Sequence, residues 1–215
     1  VIPAKKRIGH LHVITDTTGQ DRFDHVALVR MAVAGGADTI QIRDKLLDDG
    51  ELADVARSAL ALCRRAGVPL IVNDRVEVAA RAGADGVHLG REDAPIAEAR
   101  AILGPDAIIG GSAGSPDEVA EAAEAGADYV GFGHIYPTAT KHKPGPPVGL
   151  EALRDACRVA TVPVIAIGGI TAATAGELVR AGAWGVAVVS AVCAAGDPEG
   201  AARELARAVA SAAGS

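Results

Sequence analysis

Short apolar runs alternate with longer amphipathic stretches along this chain, and the alternation recurs eight times. The apolar runs are Leu11 to Asp16, Thr39 to Arg43, Pro69 to Asp74, Gly86 to Gly90, Ala107 to Ser112, Tyr129 to Gly133, Val162 to Gly169 and Gly185 to Ser190. Runs of roughly four to eight apolar residues bounded by turn residues read as buried strands. The stretches between them, such as Glu51 to Ala66, Pro116 to Ala125, Ala172 to Ala181 and Pro198 to Ala210, read as helices. Ser115-Pro116-Asp117-Glu118 and Asp197-Pro198-Glu199 are helix starts: a capping side chain, proline in the first turn, then acids at the positive end of the helix dipole.

A repeat sits on this alternation. Ala34-Gly35-Gly36-Ala37-Asp38, Ala82-Gly83-Ala84-Asp85, Ala125-Gly126-Ala127-Asp128 and Ala181-Gly182-Ala183-Trp184 each precede an apolar run. In each, a helix ends on a glycine able to turn left-handed, and a buried strand begins two or three residues later. The repeat marks every second unit, so eight regular βα units are organised with a period of two. That predicts a single-domain (β/α)8 TIM barrel over residues 1–215, in which the strand ends toward the carboxyl side carry the chemistry. Residues 1–9 read as an N-terminal arm and residues 209–215, mostly Ala, Ser and Gly, as a frayed tail.

Composition narrows the partners. Hydrophobic residues make up 49% of the chain and aromatics only 2%, so the core must be built from Ala, Val, Ile and Leu. A net charge of -6 offers no bulk attraction to nucleic acid or anionic membrane, so any anion must be held by a local site. Cys63, Cys157 and Cys193 lie far apart without metal-ligand spacing and read as core filling in a reducing, cytoplasmic setting. No apolar run is long enough to span a membrane, and Lys5-Lys6-Arg7 is not followed by a signal-type apolar segment. The expected partners are small phosphorylated molecules, with a homo-oligomer left open.

Polar residues gather at the carboxyl ends of the strands. Gln41, Arg43 and Lys45 alternate along one strand and would together suit a diphosphate, although Arg43 and Lys45 could equally pair with Asp44 or Asp48 on the surface. Asp74 and Asp93 follow successive strands and would suit Mg²⁺, while Asp74 could instead cap the next helix. Gly168-Gly169 with Val189-Ser190 fits a phosphate grip after strands seven and eight. Thr138, Thr140 and Lys141 lie on a Pro- and Gly-rich stretch from Pro137 to Gly149 that reads as a lid. His134 ends strand six at the same mouth, either as a structural residue or as a catalyst. His88 reads as a residue behind the site, and His12 as a residue lining the barrel.

Six ordered motifs, spread over a similarity from about Leu11 to Leu205, carry a resemblance. Gln41-Ile42-Arg43-Asp44-Lys45, Val72-Asn73-Asp74-Arg75, Asp85-Gly86-Val87-His88-Leu89-Gly90, Asp128-Tyr129-Val130-Gly131, Thr138-x-Thr140-Lys141 and Ala166-Ile167-Gly168-Gly169-Ile170 resemble the thiamin-phosphate synthases. Those enzymes join a hydroxymethylpyrimidine diphosphate to a thiazole phosphate and release pyrophosphate. The resemblance implies that Gln41, Arg43, Lys45, Asn73 and Lys141 hold the pyrimidine diphosphate, and that Asp74 and Asp93 hold Mg²⁺. It places Ser112 near the pyrimidine and pyrophosphate, and gives the thiazole phosphate to Thr138, Thr140, Gly169, Val189 and Ser190. Arg43, Lys45, Lys141 and Ser112 are then the residues expected to act in catalysis.

Two positions depart from that pattern. His134 stands where the synthases often have Pro, and Gly114 where they usually have His. Leu11-His12-Val13-Ile14-Thr15-Asp16, Gly133-His134 and Pro144-Gly145-x-Pro147 are instead similar to the thiazole tautomerases, where a residue at the His134 position serves as acid and base. A tautomerase has less use for a diphosphate and metal site, and this chain keeps Lys45, Asp93 and Thr140-Lys141. The expectation is therefore a Mg²⁺-dependent synthase, with a His134 tautomerase and a non-catalytic barrel binding thiazole phosphate or thiamin phosphate as alternatives.

Overall fold

A computed structural model describes residues 8–138 and 145–214. Eight parallel strands are joined by helices: β1 (Leu11–Thr15), β2 (Thr39–Ile42), β3 (Leu70–Asn73), β4 (Gly86–Leu89), β5 (Ile108–Ala113), β6 (Tyr129–Gly133), β7 (Val164–Ile167) and β8 (Gly185–Val188). β1 pairs with β2 on one side and β8 on the other, closing the barrel in sequence order. The helices α1 (His25–Ala34), α2 (Asp49–Ala66), α3 (Val76–Ala82), α4 (Ile96–Leu103), α5 (Pro116–Glu124), α6 (Gly149–Val159), α7 (Ala172–Arg180), α8 (Ser190–Cys193) and α9 (Pro198–Ala213) form the outer layer. The expected barrel is the observed one, with strand ends differing by a residue or two.

Alternation along the strands produces two apolar cores. Outward residues such as Val13, Ile40, Val72 and Val130 pack beneath the helices. Inward residues Ile14, Ile71, Ile108, Tyr129, Ile165 and Ala187 fill the barrel with Ile8 from below. A strand's side chains point to opposite faces in turn, so β1, β3, β5, β6, β7 and β8 serve both cores, while β2 and β4 turn Gln41 and His88 inward. Cys63 and Cys193 are buried and Cys157 half-buried, and burial raises their thiols to about 12, 11 and 11. That agrees with core filling.

The repeat does more than stop helices. Gly36, Gly83, Gly126 and Gly182 all take positive φ. The aspartate that follows in the first three copies reaches the start of the preceding odd strand. Asp38 accepts the N–H groups of His10 (3.0 Å) and Leu11 (2.7 Å), Asp85 that of Leu70 (2.8 Å) and Asp128 that of Ile109 (2.8 Å). These carboxylates satisfy backbone donors at the barrel's amino end. In the fourth copy Trp184 stacks on His10 at 4.6 Å and donates its indole N–H to the Ile8 carbonyl at 3.0 Å.

Both flanking expectations need correction where the residues are described. Ile8 and Gly9 are buried and close the barrel floor, so an arm extending to residue 9 is too long; residues 1–7 lie outside the described set. At the other end α9 continues to Ala213 and buries Val209 and Ala212. The Ala-rich tail has high helix propensity and an apolar stripe that packs, which outweighs its weak composition signal.

Candidate active site

The carboxyl ends of the strands enclose a cavity of about 330 Å³. Gln41, Arg43, Asn73, Asp74 and Ser112 line it from β2, β3 and β5, and His134 and Thr138 from the segment after β6. Gly168, Gly169, Val189 and Ser190 line it from β7 and β8. Residues separated by up to 149 positions in sequence thus converge because all eight strands point the same way. Thr140 and Lys141 lie outside the described residues.

The cationic side is held by carboxylates. Arg43 forms an ion pair with Asp16, whose side chain is 4% exposed and also accepts the Thr18 backbone N–H at 2.9 Å. Lys45 lies past the end of β2, its side chain 55% exposed and its Nζ 3.7 Å from Asp74 Oδ2. The strand stops at Ile42, so Gln41, Arg43 and Lys45 do not run along one extended face. Lys45 approaches the cavity through Asp74 instead. Neither cation takes the Asp44 or Asp48 partner that a surface role would predict.

Asp44 anchors the turn behind them. Its carboxylate accepts the N–H groups of Leu46 (2.7 Å) and Leu47 (3.0 Å) and meets His25 Nε2 at 2.9 Å. His25 Nδ1 lies 2.7 Å from the Thr15 hydroxyl. Burial alone would raise Asp44, but the hydrogen bonds to His25, Leu47 and Leu46 bring it down to about 2. A buried Thr15–His25–Asp44 chain therefore ties β1, α1 and the β2–α2 turn together.

The two candidate metal carboxylates differ. Asp74 takes φ 63°, a left-handed conformation that Asp tolerates better than most residues, and faces the cavity. It does not cap α3, whose N-cap is Arg75 without a side-chain cap. Asp93 Oδ2 accepts the Gly90 N–H at 2.6 Å, which folds the loop after β4. That bond uses part of one oxygen's capacity, and a carboxylate can accept about four bonds in all. Both are hard oxygen donors of the kind Mg²⁺ takes.

Opposite, glycines bring the backbone to the cavity. Gly168 and Gly169 have φ 105° and 67°. A Cβ at Gly168 would collide with His134, and one at Gly169 would lie 2.5 Å from the Pro137 carbonyl oxygen. Only glycine fits at either place, and His134 owes its site at the cavity wall to Gly168. His12, also lining the cavity, is buried; desolvation outweighs Asp38 and the Gly9 carbonyl and lowers its pKa to about 4.

Three pairings carried no sequence signal: Asp16 with Arg43, His25 with Asp44, and Tyr129 with His88 inside the barrel. Asp16 was visible as a strand-end acid, but nothing in the chain's order names its partner.

The family model described as thiamine monophosphate synthase matches residues 11–192. The chain belongs to that family. A thiamine-phosphate synthase of Salinibacter ruber is 48% identical over 196 residues, covering 91% of this chain and 86% of the relative. One of Chlorobium limicola is 52% identical over 180 residues, covering 84% and 86%. The solved thiamine phosphate pyrophosphorylase of Pyrococcus furiosus superposes with a TM-score of 0.88 at 40% identity, covering 95% of this chain and 96% of that one. No helix among the described residues of this family member is long and apolar enough to cross a membrane.

Proposed function

We propose that the protein is a thiamin-phosphate synthase, joining a hydroxymethylpyrimidine diphosphate to a thiazole phosphate with release of pyrophosphate. The observation that carries this reading is the pairing of two unlike anion-binding walls in one cavity. A wall of Gln41, Arg43, Asn73 and Asp74 faces a glycine wall at Gly168 and Gly169. Two separately phosphorylated substrates call for two such walls.

In the reaction, the bond between the pyrimidine's methylene carbon and the diphosphate oxygen breaks, and its electron pair leaves with pyrophosphate. The thiazole nitrogen's lone pair then forms the new bond to that carbon. No protein nucleophile is required, so the residues act by placing the two substrates and by stabilising the leaving group. Gln41 and Asn73 orient the pyrimidine diphosphate; Arg43 and Lys45, with Lys141, carry the positive charge that receives the departing oxygens. Ser112 stands by the pyrimidine and pyrophosphate. Thr138, Thr140, Gly169, Val189 and Ser190 take the thiazole phosphate.

Mg²⁺, held by Asp74 and Asp93, would supply charge neutralisation on the diphosphate oxygens. The donor set fits: two carboxylates from adjacent loops, one of them in the cavity wall beside Lys45. The reaction belongs in the cytoplasm, a setting compatible with the unpaired cysteines.

The test is to incubate the folded protein with both substrates and Mg²⁺ and to detect thiamin phosphate by mass spectrometry, with EDTA as control. Mg²⁺-dependent product is expected. Absence of product, together with turnover of the thiazole carboxylate phosphate, would overturn the reading in favour of a His134 tautomerase.

A further inference from the structure

Beneath the substrate walls, three polar side chains form a line inside the barrel. His88 Nδ1 lies 3.0 Å from the Tyr129 hydroxyl, and His88 Nε2 lies 2.9 Å from the Ser112 hydroxyl. The His88 and Tyr129 rings stack at 5.5 Å. Gln41 is buried beside them, at 3% exposure. All four residues line the cavity.

The neighbouring strands make room for this line. A Cβ at Gly110 would lie 2.5 Å from His88 Nδ1 and 2.5 Å from the Tyr129 hydroxyl oxygen. A Cβ at Gly131 would lie 3.1 Å from His88 Cε1. β5 and β6 each give up a side chain along this line: Gly110 leaves room for the Tyr129 and His88 rings together, and Gly131 for the edge of the His88 ring.

The donors and acceptors fall into one order. Tyr129 is 2% exposed, and burial with the nearby Asp128 raises its phenol, so it keeps its proton. The phenolic proton has His88 Nδ1 as its acceptor at 3.0 Å, so the phenol donates there. An imidazole that accepts at Nδ1 carries its proton on Nε2 and donates it to the Ser112 oxygen. The Ser112 proton is then directed away from His88 and into the cavity.

We propose that His88 and Tyr129 are positioning residues that fix Ser112 as a hydrogen-bond donor to the leaving diphosphate of the substrate. The proposal rests on the transferase reading above. Negative charge grows on the departing oxygen as its bond to carbon breaks, so a donor held in place gains strength in the transition state. The line therefore acts on kcat more than on KM.

Steady-state kinetics of four proteins test it: wild type, Ser112→Ala, Tyr129→Phe and the double variant. Ser112→Ala should lower kcat by about 100-fold and Tyr129→Phe by about tenfold, with KM for the diphosphate nearly constant. The double variant should match Ser112→Ala alone, because the phenol acts only through the serine. Losses that multiply, or a Tyr129→Phe enzyme with wild-type kcat, overturn the proposal. Histidine ¹⁵N shifts give an independent readout: His88 should carry its proton on Nε2 in the wild type and lose that preference in Tyr129→Phe. An Nδ1-protonated His88 overturns the line even in an active enzyme. Wild-type protein without synthase activity removes the transferase reading instead, and the ¹⁵N signal still decides the line.

Discussion

The cavity wall at the ends of β2 and β3 and the wall at the ends of β7 and β8 are built by opposite means. The first uses side chains: Arg43 on Asp16, Lys45 beside Asp74, Asp44 tied to His25. The second uses glycines at φ 105° and 67° that bring backbone to the cavity. Side-chain charges in a barrel mouth must be neutralised before substrate arrives, because an unpaired buried charge is costly. Arg43 and Lys45 each stand beside an acid, and the wall is a network of ion pairs. Backbone amides need no such partners, and their placement is fixed by the strand ends. A multiply charged leaving group suits the first wall, and a phosphate that only anchors its substrate suits the second.

The sharpest way to break this comparison is to remove a carboxylate from the charged wall. Asp93→Ala should abolish Mg²⁺-dependent synthesis in a product assay with a Mg²⁺ titration, while thiazole phosphate binding by calorimetry stays intact. Wild-type activity in that variant would remove the metal assignment. Arg43→Ala comes next, with a loss on the order of 3 kcal/mol of transition-state stabilisation, or roughly 100-fold in kcat/KM. An equal loss of thiazole phosphate affinity in Arg43→Ala would show that the two walls are not separable.

How far this arrangement could be read in the chain differs between the walls. The barrel was legible because the period-two repeat and the apolar runs are local patterns. Gly168-Gly169 was visible as a glycine pair ending the seventh strand, and its place at the cavity followed from the barrel. Arg43 and Lys45 were visible as charges, but their partners were not. Asp16 lies 27 residues from Arg43, and Asp74 lies 29 from Lys45, joined only by closure of the sheet. Tyr129 and His88 meet across 41 residues for the same reason. The repeat's aspartates were read as part of a helix stop, yet they serve the preceding strand. That function needs the βα unit to fold back before it exists.

The charged wall and the barrel beneath it should also answer to acid. Buried His12, at about 4 against 6.5, is neutral in the fold while the unfolded chain binds a proton between those values. Its effect is to withdraw stability as pH falls from 6.5 toward 4, by about 3 kcal/mol in full. Asp44, at about 2 against 3.8, contributes stability that is complete above 3.8 and lost as pH falls through 2, about 2 kcal/mol in all. Urea unfolding across pH should show both windows. Asp44→Asn should flatten only the lower one, and an unchanged slope there would detach Asp44 from the wall's stability.

The smallest expected change tests the glycine wall by itself. Gly169→Ala adds one methyl at φ 67°, 2.5 Å from the Pro137 carbonyl oxygen and 2.8 Å from Tyr136 Cβ. The backbone must shift to relieve those contacts, and an alanine in the left-handed region costs roughly 1–2 kcal/mol besides. In the proposed site this wall holds substrate through the backbone, so the shift should raise KM for thiazole phosphate about tenfold, equivalent to about 1.4 kcal/mol. KM for the diphosphate and the Mg²⁺ requirement should stay at wild-type values, since Arg43, Asp74 and Asp93 sit on other strands. Initial rates with each substrate varied in turn would separate the two. A rise confined to the diphosphate KM would assign the glycine wall to the wrong substrate and exchange the roles of the two sides.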